Sequence, residues 1–198
     1  MLSMADSKNR GNVFAIILAA GTASRFGRTK QLEILEGRTL VGRAMGVARD
    51  ACGIRTVLVA GHDSSPIIDA AGQLGYVVVN DNYEDGIGSS IATAVKAIAH
   101  VADAILLTLA DQPLITAAHL ESLIDAWSGD RDEIIATSFS NALGPPVLFP
   151  PNAFDTLSKL SGDVGARSLL GDEAFKVRTI DFADAAIDVD TPEDLTRL

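Results

Sequence analysis

The sequence predicts an α/β fold, a Rossmann-like three-layer α/β/α sandwich with a mostly parallel sheet. Three observations carry that prediction. Short aliphatic runs alternate along the chain with amphipathic stretches at helical spacing. The runs are apolar at successive positions, as strands covered on both faces are. The glycines, basic residues and carboxylates that suit chemistry follow the runs directly, where open α/β sheets collect ligands.

The strand candidates are residues 13–18, 55–60, 76–79 and 104–109, all read as buried on both faces. Between them, Leu40, Val41, Ala44, Met45, Val47 and Ala48 recur near a helical period, with Thr39 as N-cap. A shorter helix is expected over 67–74 and further helices over 89–101 and 117–127; Ile91, Val95, Ile98 and Ala99 share one face of the 89–101 helix. The last third is less regular. Strands are expected at 133–138, 146–149 and 176–180, with a short helix at 166–170. Thr191 and Pro192, with Glu193 and Asp194 behind them, open a terminal helix. No repeat or linker interrupts the pattern. One domain over 13–198 follows a polar, disordered tail over 1–12.

Composition limits the function classes. The 198 residues hold 26 acidic and 16 basic side chains, a formal net charge of −10. Nucleic acid and anionic membrane surfaces select the opposite sign. The apolar run at 13–20 follows Lys8 and Arg10, but it is too short to span a bilayer. It reads as a strand, and the chain as cytoplasmic. The lone Cys52 permits no internal disulfide and reads as core filler. Three scattered histidines make no zinc site.

Four loops hold the chemistry. The first runs from Leu18 through Ala19, Ala20, Gly21, Thr22 and Ser24 to Lys30. Arg25, Arg28 and Lys30 give it a local charge of +3. Glycine permits close backbone approach, so the loop suits a triphosphate; a solvated basic loop explains the same residues. It matches neither the P-loop nor the dinucleotide fingerprint. The second loop places Asp111 directly after an apolar strand, as a Mg²⁺ ligand or as the start of an Asp-x-Pro turn. In the third, Asp188 and Asp190 alternate on an expected short strand, so that Asp190 is a second metal ligand or a helix cap. The fourth runs from Asn80 to Ser90, with Gly86-Ile87-Gly88-Ser89-Ser90 opening a helix. It suits phosphate binding or plain N-capping by serine.

Together these pieces resemble the molybdenum cofactor cytidylyltransferases, within the MobA-like nucleotidyltransferases. Leu18-Ala19-Ala20-Gly21, Arg25-Phe26-Gly27 and Lys30 come first, then Gly86-Ile87-Gly88-Ser89-Ser90 and Asp111-Gln112-Pro113. Gly144-Pro145-Pro146-Val147-Leu148-Phe149, Gly162-Asp163-Val164-Gly165-Ala166-Arg167 and Asp188-Val189-Asp190-Thr191-Pro192 complete the order. The resemblance spans residues 13–195. It implies a nucleotide-diphospho-sugar transferase-like fold and transfer of CMP from CTP to the phosphate of molybdopterin, with release of pyrophosphate. It also implies that Arg25, Lys30 and Asp111 are catalytic, and that Asp111 and Asp190 hold Mg²⁺ or Mn²⁺. The nucleotide would lie against Leu18 to Thr22, Ser24, Arg25, Lys30, Gly88, Ser89, Ser90 and Asp111. The Ala19-Ala20-Gly21 form is associated with cytidine use. Ala23 and Pro145 depart from the family's usual residues. A molybdenum hydroxylase is the implied client. Related readings are GTP use, another phosphorylated acceptor, a non-catalytic cofactor carrier, and an NAD(P)H-dependent oxidoreductase on the same fold.

Overall fold

The computed structural model describes residues 11–22, 26–73 and 75–198. The expected tail therefore lies outside the described residues as far as residue 10. Asn12 is anchored: its N–H donates to Asp103 Oδ2 at 2.7 Å, and its carbonyl accepts from Asp103 N at 3.0 Å.

The strands of the main sheet are β1 (Val13–Leu18), β4 (Thr56–Ala60), β5 (Tyr76–Val79), β6 (Ala104–Leu109), β7 (Glu133–Phe139), β8 (Ala142–Phe149) and β9 (Lys176–Asp181). Two short strands, β2 (Ile34–Leu35) and β3 (Arg38–Thr39), form a separate hairpin. The helices are α1 (Leu40–Cys52), α2 (Ser64–Ala71), α3 (Ile87–Ile98), α4 (Ala117–Ala126), α5 (Phe154–Leu157) and α6 (Pro192–Leu195).

The sheet order is β5-β4-β1-β6-β8-β7-β9. β8 runs antiparallel to both its neighbours; the other pairings are parallel. The order reverses beside β1, with β4 on one side and β6 on the other. That switch point opens a crevice at the carboxyl ends of β1 and β6.

Alternation along β1 builds the two halves of the core. Val13, Ala15, Ile17 and Ala19 face Val41 and Met45 of α1, Ile67 of α2 and Leu120 and Leu123 of α4. Phe14, Ile16, Leu18 and Ala20 face Ile91, Val95 and Ile98 of α3 and Phe154 and Leu157 of α5. Residues that read as a continuous apolar run thus divide between two layers of helices.

The fold departs from the expected elements in several places. β5 is an edge strand, and Tyr76, Val77 and Val79 are exposed rather than buried on both faces. α2 starts at Ser64, earlier than expected, because Pro66 lies in its first turn, where a missing N–H costs nothing. α3 starts at Ile87, so Ser89 is inside the helix and not its N-cap. β8 starts at Ala142, and its register with β7 shifts where Pro145 and Pro146, which lack N–H groups, interrupt the ladder. The β2–β3 hairpin turns on Glu36 and Gly37, both at positive φ, as a tight two-residue turn of its hand requires. Residues 187–190 form no strand and pair with none; a 3₁₀ turn at Ala183–Ala186 precedes them. Thr39 caps α1 by accepting from Gly42 N at 3.1 Å, as expected.

Candidate active site

The loops after β1 and β6, the start of α3 and the segment 188–190 enclose one cavity of about 600 Å³. Leu18, Ala20, Gly21, Thr22, Lys30, Ser90, Asp111 and Asp190 line it, all singled out in the sequence. Backbone bonds to the switch point fix the first loop. Ala19 N donates to Val59 O at 2.9 Å, Leu18 O accepts from Ala110 N at 3.1 Å, and Ala20 O accepts from His62 N at 3.2 Å. Gly61 must lack a side chain here, because a Cβ would stand 2.7 Å from Tyr83 Cβ and 2.9 Å from Ala20 Cβ.

The chemistry centres on Lys30. Its Nζ lies 2.7 Å from Asp111 Oδ2 and 2.8 Å from Asp190 Oδ1. Its side chain is only 12% exposed. Burial works to lower the pKa of its ammonium, but Asp111 and Asp190 outweigh burial and hold it above the usual lysine value. The two carboxylates meet because Val189 N donates to Asp111 O at 2.9 Å, which lays residues 188–190 beside the β6 loop. Gln112 Nε2 holds the 3₁₀ turn before that segment by donating to Ala185 O at 2.9 Å, and reaches β8 at Pro145 O, 3.2 Å away. Asp188 feels both carboxylate charges. Burial, then the charges of Asp111 and Asp190, push its carboxyl up to about 6, against Lys30 and a hydrogen bond to Gln112.

Two open alternatives are resolved. Asp190 is not the cap of α6: Asp194 Oδ2 accepts from Asp190 N at 3.1 Å and from Thr191 N at 2.8 Å, completing a capping box with Thr191. Ser89 is not a cap acceptor, because its hydroxyl donates to Gly86 O at 2.8 Å or Asn82 O at 2.9 Å.

Of the expected +3 cluster, Arg28 stands apart from Lys30. Arg28 points outward, is held by Glu33 through a bond of 2.8 Å from its NH₂ nitrogen, and lies 5.6 Å from the centre of the Phe26 ring. Ser24 and Arg25 lie outside the described residues. Ala19 faces the α1 side of the core, away from the cavity, by strand alternation. Gly88 is buried under a neighbouring loop: its N–H donates to Gly162 O at 2.9 Å, and a Cβ on it would stand 2.7 Å from Ser161 N.

Gln31, Tyr83, Glu84 and Asp163 also line the cavity; Tyr83 and Glu84 lie in the expected 80–90 loop and Asp163 in the 162–167 motif, whereas Gln31 fell outside every motif. Gln31 follows Lys30 and is 4% exposed; its Nε2 donates to Gly21 O at 3.0 Å and so holds the first loop. Its position inside a Lys-Gln-Leu run after a glycine loop was the available signal. Asn80, 2% exposed at the end of β5, opens the expected 80–90 loop, with no role of its own assigned there.

Asp111 Oδ1 is buried with no hydrogen-bond partner. A carboxylate oxygen so placed has one unmet need, a donor or a cation. Among the described residues, no group of three or more His, Cys, Asp or Glu side chains stands close enough to hold a metal alone. Two carboxylates completed by phosphate oxygens and water fit Mg²⁺ or Mn²⁺, which rarely take all-protein cages. No helix of the described residues is long and apolar enough to cross a membrane.

A switch-point crevice with a glycine loop, a buried lysine and two carboxylates defines a nucleotidyltransferase architecture, the nucleotide-diphospho-sugar transferase fold. The chain belongs to the MobA-like NTP transferase domain family, whose model matches residues 15–177. It is 33% identical over 198 aligned residues to the nicotine blue oxidoreductase of Paenarthrobacter nicotinovorans, covering 94% of this chain and 96% of that one. It is 28% identical over 195 residues to the purine catabolism protein PucB of Bacillus subtilis (strain 168), covering 92% and 93%. The crystal structure of Rv0371c from Mycobacterium tuberculosis H37Rv superposes with a TM-score of 0.83 at 30% identity, over 94% of this chain and 96% of that one. The manganese complex of Rv0371c superposes with a TM-score of 0.78 at 28% identity, over 94% and 97%.

Proposed function

We propose that this protein transfers CMP from CTP to the phosphate of molybdopterin and releases pyrophosphate. The observation that carries the reading is the Lys30–Asp111–Asp190 group at the mouth of a cavity large enough for a nucleotide. The resemblance to the cytidylyltransferases, in which the form seen here as Ala19-Ala20-Gly21 is associated with cytidine use, favours CTP over GTP. Asp111 and Asp190 would hold Mg²⁺ or Mn²⁺, and the manganese complex of a structural neighbour supports a divalent ion. When bound, the cation supplies charge neutralisation at the phosphate oxygens.

The chain's own residues then bind and align. Backbone groups of Leu18 to Thr22, with Ser24, receive the nucleotide. Lys30 and Arg25 balance the charge of the β- and γ-phosphates. An oxygen of the acceptor phosphate attacks the α-phosphorus of CTP in line. The bond from that phosphorus to the bridging oxygen breaks, and its electron pair leaves with pyrophosphate. The acceptor phosphate is ionised at neutral pH, so no general base is needed; positioning and charge do the work. Ser90 and Asp163 of the 162–167 loop shape the rest of the cavity, whereas the 144–149 stretch, expected on the acceptor side, is part of β8 and does not line it. The reading places the protein in the cytoplasm, with a molybdenum hydroxylase as client and no nucleic acid or membrane partner.

The test is incubation with molybdenum cofactor, Mg²⁺ and either CTP or GTP, following pyrophosphate and identifying the product by mass. GTP use, or a different phosphorylated acceptor, keeps the site and changes only the substrate. The oxidoreductase name of one relative favours a second reading, an NAD(P)H-dependent reaction on the same fold. Nicotinamide oxidation without pyrophosphate release would select it. Cofactor binding without consumption of either nucleotide would leave a carrier.

A further inference from the structure

Asn80 stands at the end of β5, 2% exposed, and every polar atom of its side chain is committed. Oδ1 accepts from Asn82 N at 3.1 Å. That backbone donor fixes which way the amide faces. Nδ2 therefore donates both protons, one to Ser89 Oγ at 2.8 Å and one to Ser90 Oγ at 2.9 Å. The strand end is itself held, with Asn80 N donating to Ala60 O at 2.8 Å.

Each serine has one proton, and the network directs both. Ser89 gives its proton to Gly86 O or Asn82 O. Ser90 already accepts from Asn80, and among the described residues nothing accepts its proton. Its hydroxyl is 5% exposed and lines the cavity. A buried hydroxyl with a fixed incoming donor and no acceptor of its own is poised to donate to whatever fills the space beside it.

We infer that Asn80 is a positioning residue that commits the Ser90 hydroxyl to donate into the cavity, toward an acceptor atom of the bound nucleotide. The inference rests on the nucleotide reading of this cavity. It assigns Asn80 a function in recognition although it touches no ligand, acting through the direction of a hydrogen bond. Asn80→Asp keeps the shape and the bond from Asn82 N but turns two donors into acceptors. Ser89 and Ser90 would then turn their protons toward residue 80, and Ser90 would present a lone pair to the ligand acceptor.

The test measures binding of CTP with Mg²⁺ to the full chain by calorimetry, together with the melting temperature. Asn80→Asp should weaken CTP binding about tenfold, the scale of a lost hydrogen bond plus an opposed acceptor, with the melting temperature near that of the wild type. Ser90→Ala should weaken binding by a similar factor. The double variant should bind no more weakly than the worse single one, because both remove the same bond. In turnover the loss should fall on KM for CTP and leave kcat close to wild type. Should Asn80→Asp fail to fold, Asn80→Ser, too short to reach either serine, takes its place in the same cycle. Wild-type binding by Asn80→Asp, or single losses that multiply in the double variant, overturns the inference and leaves the nucleotide reading intact. Failure of the wild type to bind CTP, GTP or ATP overturns both.

Discussion

Lys30 Nζ and Asp111 Oδ2 lie 2.7 Å apart, joining the loop after β1 to the loop after β6 across the switch point. The same ammonium reaches Asp190, 160 residues further along the chain. One cation thus offsets two carboxylates in the crevice, and the metal proposed for Asp111 and Asp190 competes with Lys30 for them. Loading of metal and nucleotide would turn Lys30 from the carboxylates to the phosphates, while Asp111 Oδ1, now without a partner, gains one.

Asp111→Asn should abolish most turnover while preserving the fold. The amide keeps the shape and can still accept from Lys30, but it is a poor ligand for a hard divalent ion. We expect pyrophosphate release to fall at least about 100-fold, the scale of losing one preorganised charge contact in a transition state. Circular dichroism should be unchanged. Near-normal pyrophosphate release would remove Asp111 from the metal site.

Lys30→Met separates the two functions of the lysine. Without the ammonium, turnover should fall by a similar factor, because the triphosphate loses its counter-charge. Yet Mn²⁺ should bind the nucleotide-free protein more tightly, by about tenfold, since a charge-assisted contact no longer holds the carboxylates. Electron paramagnetic resonance of free Mn²⁺ reads the affinity. Weaker Mn²⁺ binding in the variant than in wild type would mean that the lysine does not compete for the site.

Much of this was legible in the sequence. The runs that became β1, β4 and β6 are apolar at every position but Thr56 and Thr108, as a central strand with helices on both faces requires. Lys30, Asp111 and Asp190 were legible because each follows or flanks an element ending at the crevice. Edge position was not, because Tyr76, Val77 and Val79 have the same residue types as a covered strand. Alternation at Asp188 and Asp190 suggested a strand, yet only Val189 N bonds across, to the Asp111 carbonyl, and no ladder forms. Arg28 was grouped with Lys30 by proximity in sequence, but Glu33 lies nearer to it in space than the crevice does. Asn80 was legible only as the start of the 80–90 loop, because an asparagine after a strand reads as a turn residue, and its value lies in partners nine and ten residues away.

Gly88→Ala should destabilise through backbone contact. A Cβ there would stand 2.7 Å from Ser161 N and 2.8 Å from its C and O atoms, none of which can rotate aside. Overpacking of this kind costs about 1–3 kcal/mol, and a chain of this size loses about 2–4 °C per kcal/mol. A fall of roughly 3–10 °C by calorimetry is expected. Gly171→Ala, with nothing within 4 Å of its Cβ, should change the melting temperature by no more than about 2 °C. Equal effects of the two changes would contradict the close approach of α3 to the 161–163 loop.

Acid sensitivity should trace partly to His119 on α4. Its Nε2 lies 2.8 Å from Thr137 Oγ1, and that hydroxyl gives its own proton to Pro146 O at 2.6 Å. Thr137 must therefore accept, so Nε2 carries the hydrogen of a neutral ring. The ring stacks on Phe182 with centroids 4.2 Å apart. Burial lowers its pKa from 6.5 to about 4. Below pH 6.5 the unfolded chain takes up a proton that the native chain refuses, so stability falls with pH until the native ring also protonates near pH 4. The full contribution is present above pH 6.5, is lost across that window, and amounts to at most about 3 kcal/mol. His119→Gln keeps a donor toward Thr137 without a titrating ring. Urea unfolding at pH 4.5 and pH 7.5 should show a smaller loss of stability for the variant than for wild type. The same loss in both proteins would mean that His119 has no part in the acid response.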